Sequence, residues 1–175
     1  MHSPPAHESF SIREATEADL PALVLLHVTS WNATYPHYHP KPSPELRERQ
    51  WKDAFREKED NWCCYVVENN RGEIAGFATG NDFHDNELGY EAQLNKIHFY
   101  QQYQRRGLGR LLVGHIVRRF LDRGFHSMIL FADPQNPNIA FYDKLGGERI
   151  LDSNGTFHGA YGWKDLQKLA VLCAV

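Results

Sequence analysis

Six consecutive residues, Gln104-Arg105-Arg106-Gly107-Leu108-Gly109, carry the strongest chemical signal in this chain of 175 residues. The run before them alternates apolar and polar side chains (Leu94, Asn95, Lys96, Ile97, His98, Phe99) and reads as a strand. The run after them places Leu108, Leu111, Leu112, Ile116 and Phe120 at helical spacing, with Arg110, Arg118 and Arg119 between. A strand, a loop with two glycines and two arginines, and a helix start together suit a phosphate. The first N–H groups of a helix have no partner within it, and its dipole places positive charge there. Glycine lets the backbone approach an anion without a Cβ in the way. The spacing excludes a Walker loop, which needs a following Lys-Ser/Thr, and the first glycine of a dinucleotide fingerprint is missing. Pyrophosphate binding is therefore the first expectation, with a solvated turn as the plain alternative.

About thirty residues on, after the strand-like run Met128-Ile129-Leu130-Phe131, comes Asn136-Pro137-Asn138-Ile139-Ala140-Phe141-Tyr142-Asp143-Lys144-Leu145-Gly146-Gly147-Glu148. Asn136 suits a helix cap, Pro137 the first helical position, and Gly146 a helix stop. This pair of stretches resembles the two acyl-CoA motifs of the GCN5-related N-acetyltransferase (GNAT) superfamily, and the pairing is far more specific than either half. The resemblance covers roughly residues 10 to 163, and Tyr161-Gly162-Trp163 is similar to the last strand of many small-molecule members.

The resemblance implies acetyl-CoA as acyl donor, with no metal. Ile97, His98 and Phe99 would meet the pantetheine arm. Gln104, Arg105, Arg106, Gly107, Leu108, Gly109 and Arg110 would hold the phosphates. The superfamily's asparagine falls on Asn136, near the pantetheine, and its tyrosine on Tyr142, the acid for the departing sulfur. Trp31-Asn32-Ala33-Thr34-Tyr35 resembles the segment that borders the acceptor groove, so Trp31 and Tyr35 become substrate-binding candidates. Four residues apart, they share a helix face, as core aromatics also do.

Amine acetylation also needs an unprotonated amine. A lysine-like amine with a reference pKa near 10.4 costs about 4 to 5 kcal/mol to deprotonate at pH 7. Many relatives carry a glutamate at the position of Gln93, which cannot take a proton. Glu91, two residues earlier on the same strand face, is the substitute; it reads equally as a surface carboxylate. His84 is a further candidate, and a water relay with no direct base is an alternative. The acidic residues Asp82, Asp85, Glu87 and Glu91 suggest a cationic acceptor, although such loops are commonly just solvated.

These residues need a scaffold, and the remaining pattern supplies one. A strand at residues 10–14 leads to a helix started by Thr16 and Asp19, and Ser43 caps a second helix over residues 44–58. A hairpin follows over residues 62–68 and 73–81, then a long strand over residues 88–100. The helix from Gly107, a strand near residues 126–131, a short helix from Pro137 and two closing strands complete the chain. The expected fold is α/β, a mixed and mostly antiparallel central sheet flanked by helices. Residues 1–9 read as a flexible tail and residues 10–175 as a single N-acetyltransferase domain.

Composition bounds the function. Nineteen basic residues against 22 acidic give a net charge of −3, which calls for no nucleic acid partner. No run is long and apolar enough for a membrane span or a signal-peptide core. Three cysteines, Cys63, Cys64 and Cys173, cannot all pair, and a reducing cytoplasm is the expected home. His37 and His39 lack a third metal ligand nearby. The apolar end, Leu169 to Val175, could support a homodimer or pack on its own domain. The expected activity is acetyl-CoA-dependent transfer to a primary amine of a small molecule or peptide, by direct attack on the thioester. A catalytically silent acyl-CoA-binding sensor or scaffold is the alternative.

Overall fold

A computed structural model describes residues 8–58, 61–84 and 87–174. Residues 1–7 of the expected tail, Asp85 of the acidic loop and Val175 of the apolar end lie outside the described residues. Seven strands form one sheet: β1 (Phe10–Glu14), β2 (Cys63–Asn69), β3 (Ile74–Asp82), β4 (Ala92–Phe99), β5 (Met128–Phe131), β6 (Glu148–Leu151) and β7 (Phe157–Trp163), in the order β1-β2-β3-β4-β5-β7-β6. Every neighbouring pair is antiparallel except β4 and β5. The crossover between those two is made by α3 (Leu108–Asp122), as parallel neighbours require.

The other helices are α1 (Leu20–Thr34), α2 (Pro44–Arg56), the short α4 (Ala140–Lys144) and α5 (Leu166–Cys173). Thr16 and Asp19 form the expected capping box ahead of α1, the Asp19 carboxylate accepting from Thr16 N–H at 2.8 Å. Two expected boundaries move. β4 begins at Ala92 rather than residue 88, because the preceding residues turn. The helix expected from Pro137 starts only at Ala140, because residues 137–139 form a turn. Gly146, at φ 71°, ends α4 as expected.

The sheet buries both faces. One core packs α3 and α5 against it through Phe99, Leu112, Ile116, Phe120, Tyr161 and Leu166; the other packs α1 and α2 through Leu23, Leu26, Trp51, Phe55, Val66 and Phe77. Adjacent Cys63 and Cys64 point one into each core, the period-two alternation of a strand. A fully buried side chain such as Phe77 or Leu112 contributes about 1.5 to 3 kcal/mol. The apolar end packs on its own fold: Leu166, Leu169 and Cys173 are buried, and Val171 and Leu172 face outward.

β4 is irregular along both of its edges. Its pairing with β5 runs through Ala92↔Met128 and Gln93↔Ile129 and then stops. Its register with β3 jumps from Gly80↔Leu94 to Thr79↔Lys96, leaving Asn95 as an extra residue in a β-bulge.

Candidate functional site

Beyond Gln93, β4 and β5 separate and a cavity of about 750 Å³ opens between them. The edge of β4 toward β5, from Leu94 to Phe99, is left without ladder partners there, so peptide N–H and C=O groups stand ready for a ligand's amides. Ile97, His98 and Phe99 line the cavity. Asn95 lines it too, its amide donating to Asn81 Oδ1.

The cavity runs from this edge to the N-terminus of α3. Gly107 caps that helix at φ 78°, a left-handed conformation suited to glycine, with no side-chain cap and no acidic residue in the first turn. Arg105 also sits left-handed, at φ 61°, a strained conformation for a side chain with a Cβ. Among the described residues, no backbone N–H from Arg105 to Arg110 donates to another group. A Cβ on Gly109 would lie 3.2 Å from the Phe141 ring, tighter than ordinary contact. These unpaired donors, with Arg105 and Arg110 on the cavity wall, fit a pyrophosphate. Gln104 braces the loop by donating to Phe99 O at 3.3 Å.

Two residues of the expected phosphate set are turned away. Arg106 donates to Glu8 at 2.8 Å and lies over the Phe10 ring at 4.8 Å, off the cavity wall, leaving only its backbone N–H for the loop. Leu108 is buried in the core and likewise offers only its N–H.

Tyr142, 7% exposed, lines the cavity from α4. Its hydroxyl has no hydrogen bond among the described residues, and burial pushes its pKa well up, so it stays protonated. Asn136 holds the turn before α4, its Oδ1 accepting from Asn138 N–H at 2.9 Å, and its side chain lies near enough to the Tyr35 hydroxyl to lower that group's pKa. Burial raises the Tyr35 pKa, and the Asp133 charge adds to that. Trp31 and Tyr35 both line the cavity, with ring centroids 5.2 Å apart, joining its wall on the α1 side.

Glu91 is not placed as a base. It lies outside the cavity, where its carboxylate accepts from His126 N–H at 2.6 Å and from Ser127 N–H at 3.1 Å. Those bonds, the His126 N–H first, hold its pKa below the usual carboxylate range. The physical reason is the late start of β4: Glu91 precedes the strand and fastens it to the start of β5. Gln93, Asp82 and His84 do not line the cavity either; Asp82 instead accepts from Asn61 at 2.9 Å. None of the described acidic residues of that loop lines the cavity.

Among the lining residues that sequence reasoning did not assign to the site are Ser30, Lys96, Asp133 and Lys144. Sequence reasoning also gave His98 only a pantetheine role. The His98 ring turns toward α1, its Nδ1 lying 2.9 Å from Ser30 Oγ, and burial pushes its pKa down to about 4. The period-two spacing of Lys96 and His98 was the available signal. Among the described residues, no group of three or more His, Cys, Asp or Glu is placed to hold a metal ion, and no helix is long and apolar enough to cross a membrane.

Comparison with known proteins gives the fold and the family. The chain is 30% identical to the uncharacterized N-acetyltransferase YuaI of Bacillus subtilis, over 93% of this chain and 97% of that protein. It is 25% identical to phosphinothricin N-acetyltransferase of Streptomyces viridochromogenes, over 93% and 87% respectively. Among solved structures, the PaiA N-acetyltransferase of Thermoplasma acidophilum in complex with coenzyme A shares the fold with a TM-score of 0.69 at 18% identity, over 88% of this chain and 98% of that one. The model of the Acetyltransferase (GNAT) family matches residues 24–147, more than half of the chain, and the chain belongs to that family.

Proposed function

We propose that this protein transfers the acetyl group of acetyl-CoA to a primary amine of a small molecule or peptide, by direct attack of the amine on the thioester. One observation carries the reading: an open strand edge runs into a nest of unpaired N–H groups, with an unpartnered tyrosine hydroxyl on the wall between them. The β4 edge suits the two amides of a pantetheine arm, and the start of α3 suits the pyrophosphate. The phosphinothricin and methionine sulfoximine acetyltransferases among the relatives support a small amine as acceptor.

Bound acetyl-CoA supplies an electrophilic thioester carbon. The amine nitrogen forms the new bond to that carbon, and the C–S bond breaks. Tyr142 donates a hydrogen bond to the leaving sulfur, whose thiol has a pKa near 8.5, and a proton it passes on is returned by the one that the amine releases through water. The acceptor's proton leaves to water, because the Glu91 carboxylate is engaged elsewhere. Ser30 fixes the neutral His98 ring beside the acceptor end. Trp31 and Tyr35 form the aromatic wall against which the amine is positioned.

The lack of a β4 carboxylate on the cavity wall favours one other reading, a silent acyl-CoA-binding module. Release of CoA across a mixed amine panel, with wild type and Tyr142→Phe, separates the two. The enzyme reading expects turnover that falls by about 10² in the variant while acetyl-CoA affinity holds. Acetyl-CoA binding without turnover of any amine supports the module, and undiminished turnover by Tyr142→Phe removes Tyr142 from its role.

A further inference from the structure

Asn95 is the extra residue of the bulge in β4, so its side chain escapes the strict alternation of the strand. Among the described residues it alone lines both the large cavity and a second one of about 370 Å³, whose wall includes Gln50, Ala54, Trp62 and Asn81. A chain of hydrogen bonds fixes which end of its amide is free. Asn81 Nδ2 donates to Asp82 O at 2.7 Å, and Asn95 Nδ2 donates to the remaining Asn81 Oδ1. Reversing either amide would set two acceptors against each other. Asn95 Oδ1 is left over, and among the described residues nothing donates to it.

This oxygen stands at the closed end of the gap. Pairing of β4 with β5 stops at Gln93↔Ile129, whereas α3 begins beyond the far end of β4, after Phe99. A CoA held by its pyrophosphate at α3 runs its arm back along β4, so its thioester comes to rest near the point where the strands rejoin. Of the β4 residues on the cavity wall, Asn95 is the nearest to that point. Lys96 beside it has no acceptor to offer as an ammonium, His98 Nδ1 is taken by Ser30, and β4 carries no carboxylate.

We propose that Asn95 Oδ1 accepts a hydrogen bond from the attacking amine and aims its lone pair at the thioester carbon. Asn81 is the positioning residue that keeps this oxygen free. The proposal rests on the acetyltransferase reading and deepens it. The N–C bond forms, the C–S bond breaks, one N–H proton of the amine passes to water, and the sulfur takes its proton through Tyr142. A carboxamide oxygen accepts a hydrogen bond but does not hold a proton at neutral pH, so the acceptor arrives as its free base. Weakly basic amines are then favoured at neutral pH, because a larger share of them is unprotonated.

The test measures CoA release with the amine panel from about pH 6 to 10, for the wild type, Asn95→Leu, Asn95→Asp and Asn81→Leu. Acetyl-CoA affinity is followed in parallel by calorimetry. In the wild type, kcat/KM should rise with pH and level off at the pKa of whichever amine is used. Asn95→Leu should lower kcat about ten-fold or more, and Asn81→Leu by less. Asn95→Asp, which keeps an acceptor oxygen, should retain more of the rate than Asn95→Leu. Acetyl-CoA affinity stays within about two-fold throughout. An inflection that stays at one pH for amines of different pKa reveals a protein base and overturns the proposal, as does an unchanged kcat in Asn95→Leu. In both cases the acetyltransferase reading stands. Should Asn95→Leu fail to fold, Asn81→Leu and the wild-type pH profile decide. If nothing is acetylated, the CoA-bound protein is titrated with the same amines: saturable heat that Asn95→Leu removes supports the contact, and no heat, or heat it leaves unchanged, overturns it. If acetyl-CoA does not bind the wild type, both readings fall together.

Discussion

The N-termini of α2 and α3 present the same orphan N–H groups and treat them in opposite ways. At α2, Ser43 accepts from Leu46 N–H at 3.1 Å, Pro44 removes one donor, and Glu45 places a negative charge in the first turn. At α3 the cap is a left-handed glycine, the first turn holds Arg110, and the loop before it adds Arg105. The first helix end is satisfied by its own sequence and faces no cavity. The second is left unsatisfied and lines one. A binding site can thus be recognised by the caps a sequence withholds, because an open helix end is costly unless something else fills it.

Giving α3 the chemistry of α2 would abolish this contrast. Gly107→Asp combined with Arg110→Glu supplies a cap and an acid at the phosphate end. Calorimetry should find acetyl-CoA binding weakened by about 100-fold or more, since several charge-assisted bonds are lost or reversed. Acid provides a second handle. The unfolded chain takes up protons on His27 and His98 below about pH 6.5, whereas burial holds their folded pKa values down to about 2 and about 4. Folding stability therefore falls as the pH drops below 6.5, by about 2 kcal/mol for each histidine at pH 5. Urea unfolding at pH 7 and pH 5 measures this, and equal midpoints would contradict it.

A narrower probe is Arg105→Gly. It removes one phosphate contact and should weaken acetyl-CoA binding about ten-fold. It also relieves a left-handed side chain at φ 61°, so the unliganded protein should melt no lower than wild type. Least in effect is Ser43→Ala, expected to cost about 1 kcal/mol of stability. Acetyl-CoA affinity should not move, and a shift in it would mean that the two helix ends are coupled.

Sequence alone made the backbone of this site legible and left several side chains unread. Residues 104–109 and the stop at Gly146 follow from local rules of glycine geometry and spacing, and Tyr142 from the resemblance to the acyl-CoA motifs. Arg106 does not, because its direction is set by Glu8 and Phe10, more than ninety positions away in the chain. Glu91 was misjudged because strand alternation was extended past the true start of β4, into a segment held by Ser127 and His126. Lys96 was overlooked because an isolated lysine in a strand reads as solvated. Its place on the cavity wall comes from the gap between β4 and β5. Long-range pairing decided each of these, and a single sequence holds no local trace of it.

The seam between β4 and β5 has a thermal consequence. β3 and β4 share seven register pairs and β5 and β7 share four, whereas β4 and β5 share two. A ligand thread laid along the open edge would extend that short seam and clasp the two halves of the sheet. At a concentration 100 times its dissociation constant, such a ligand adds about 2.7 kcal/mol to the folded state. The melting temperature of this protein then becomes a gauge of how fully the gap is filled.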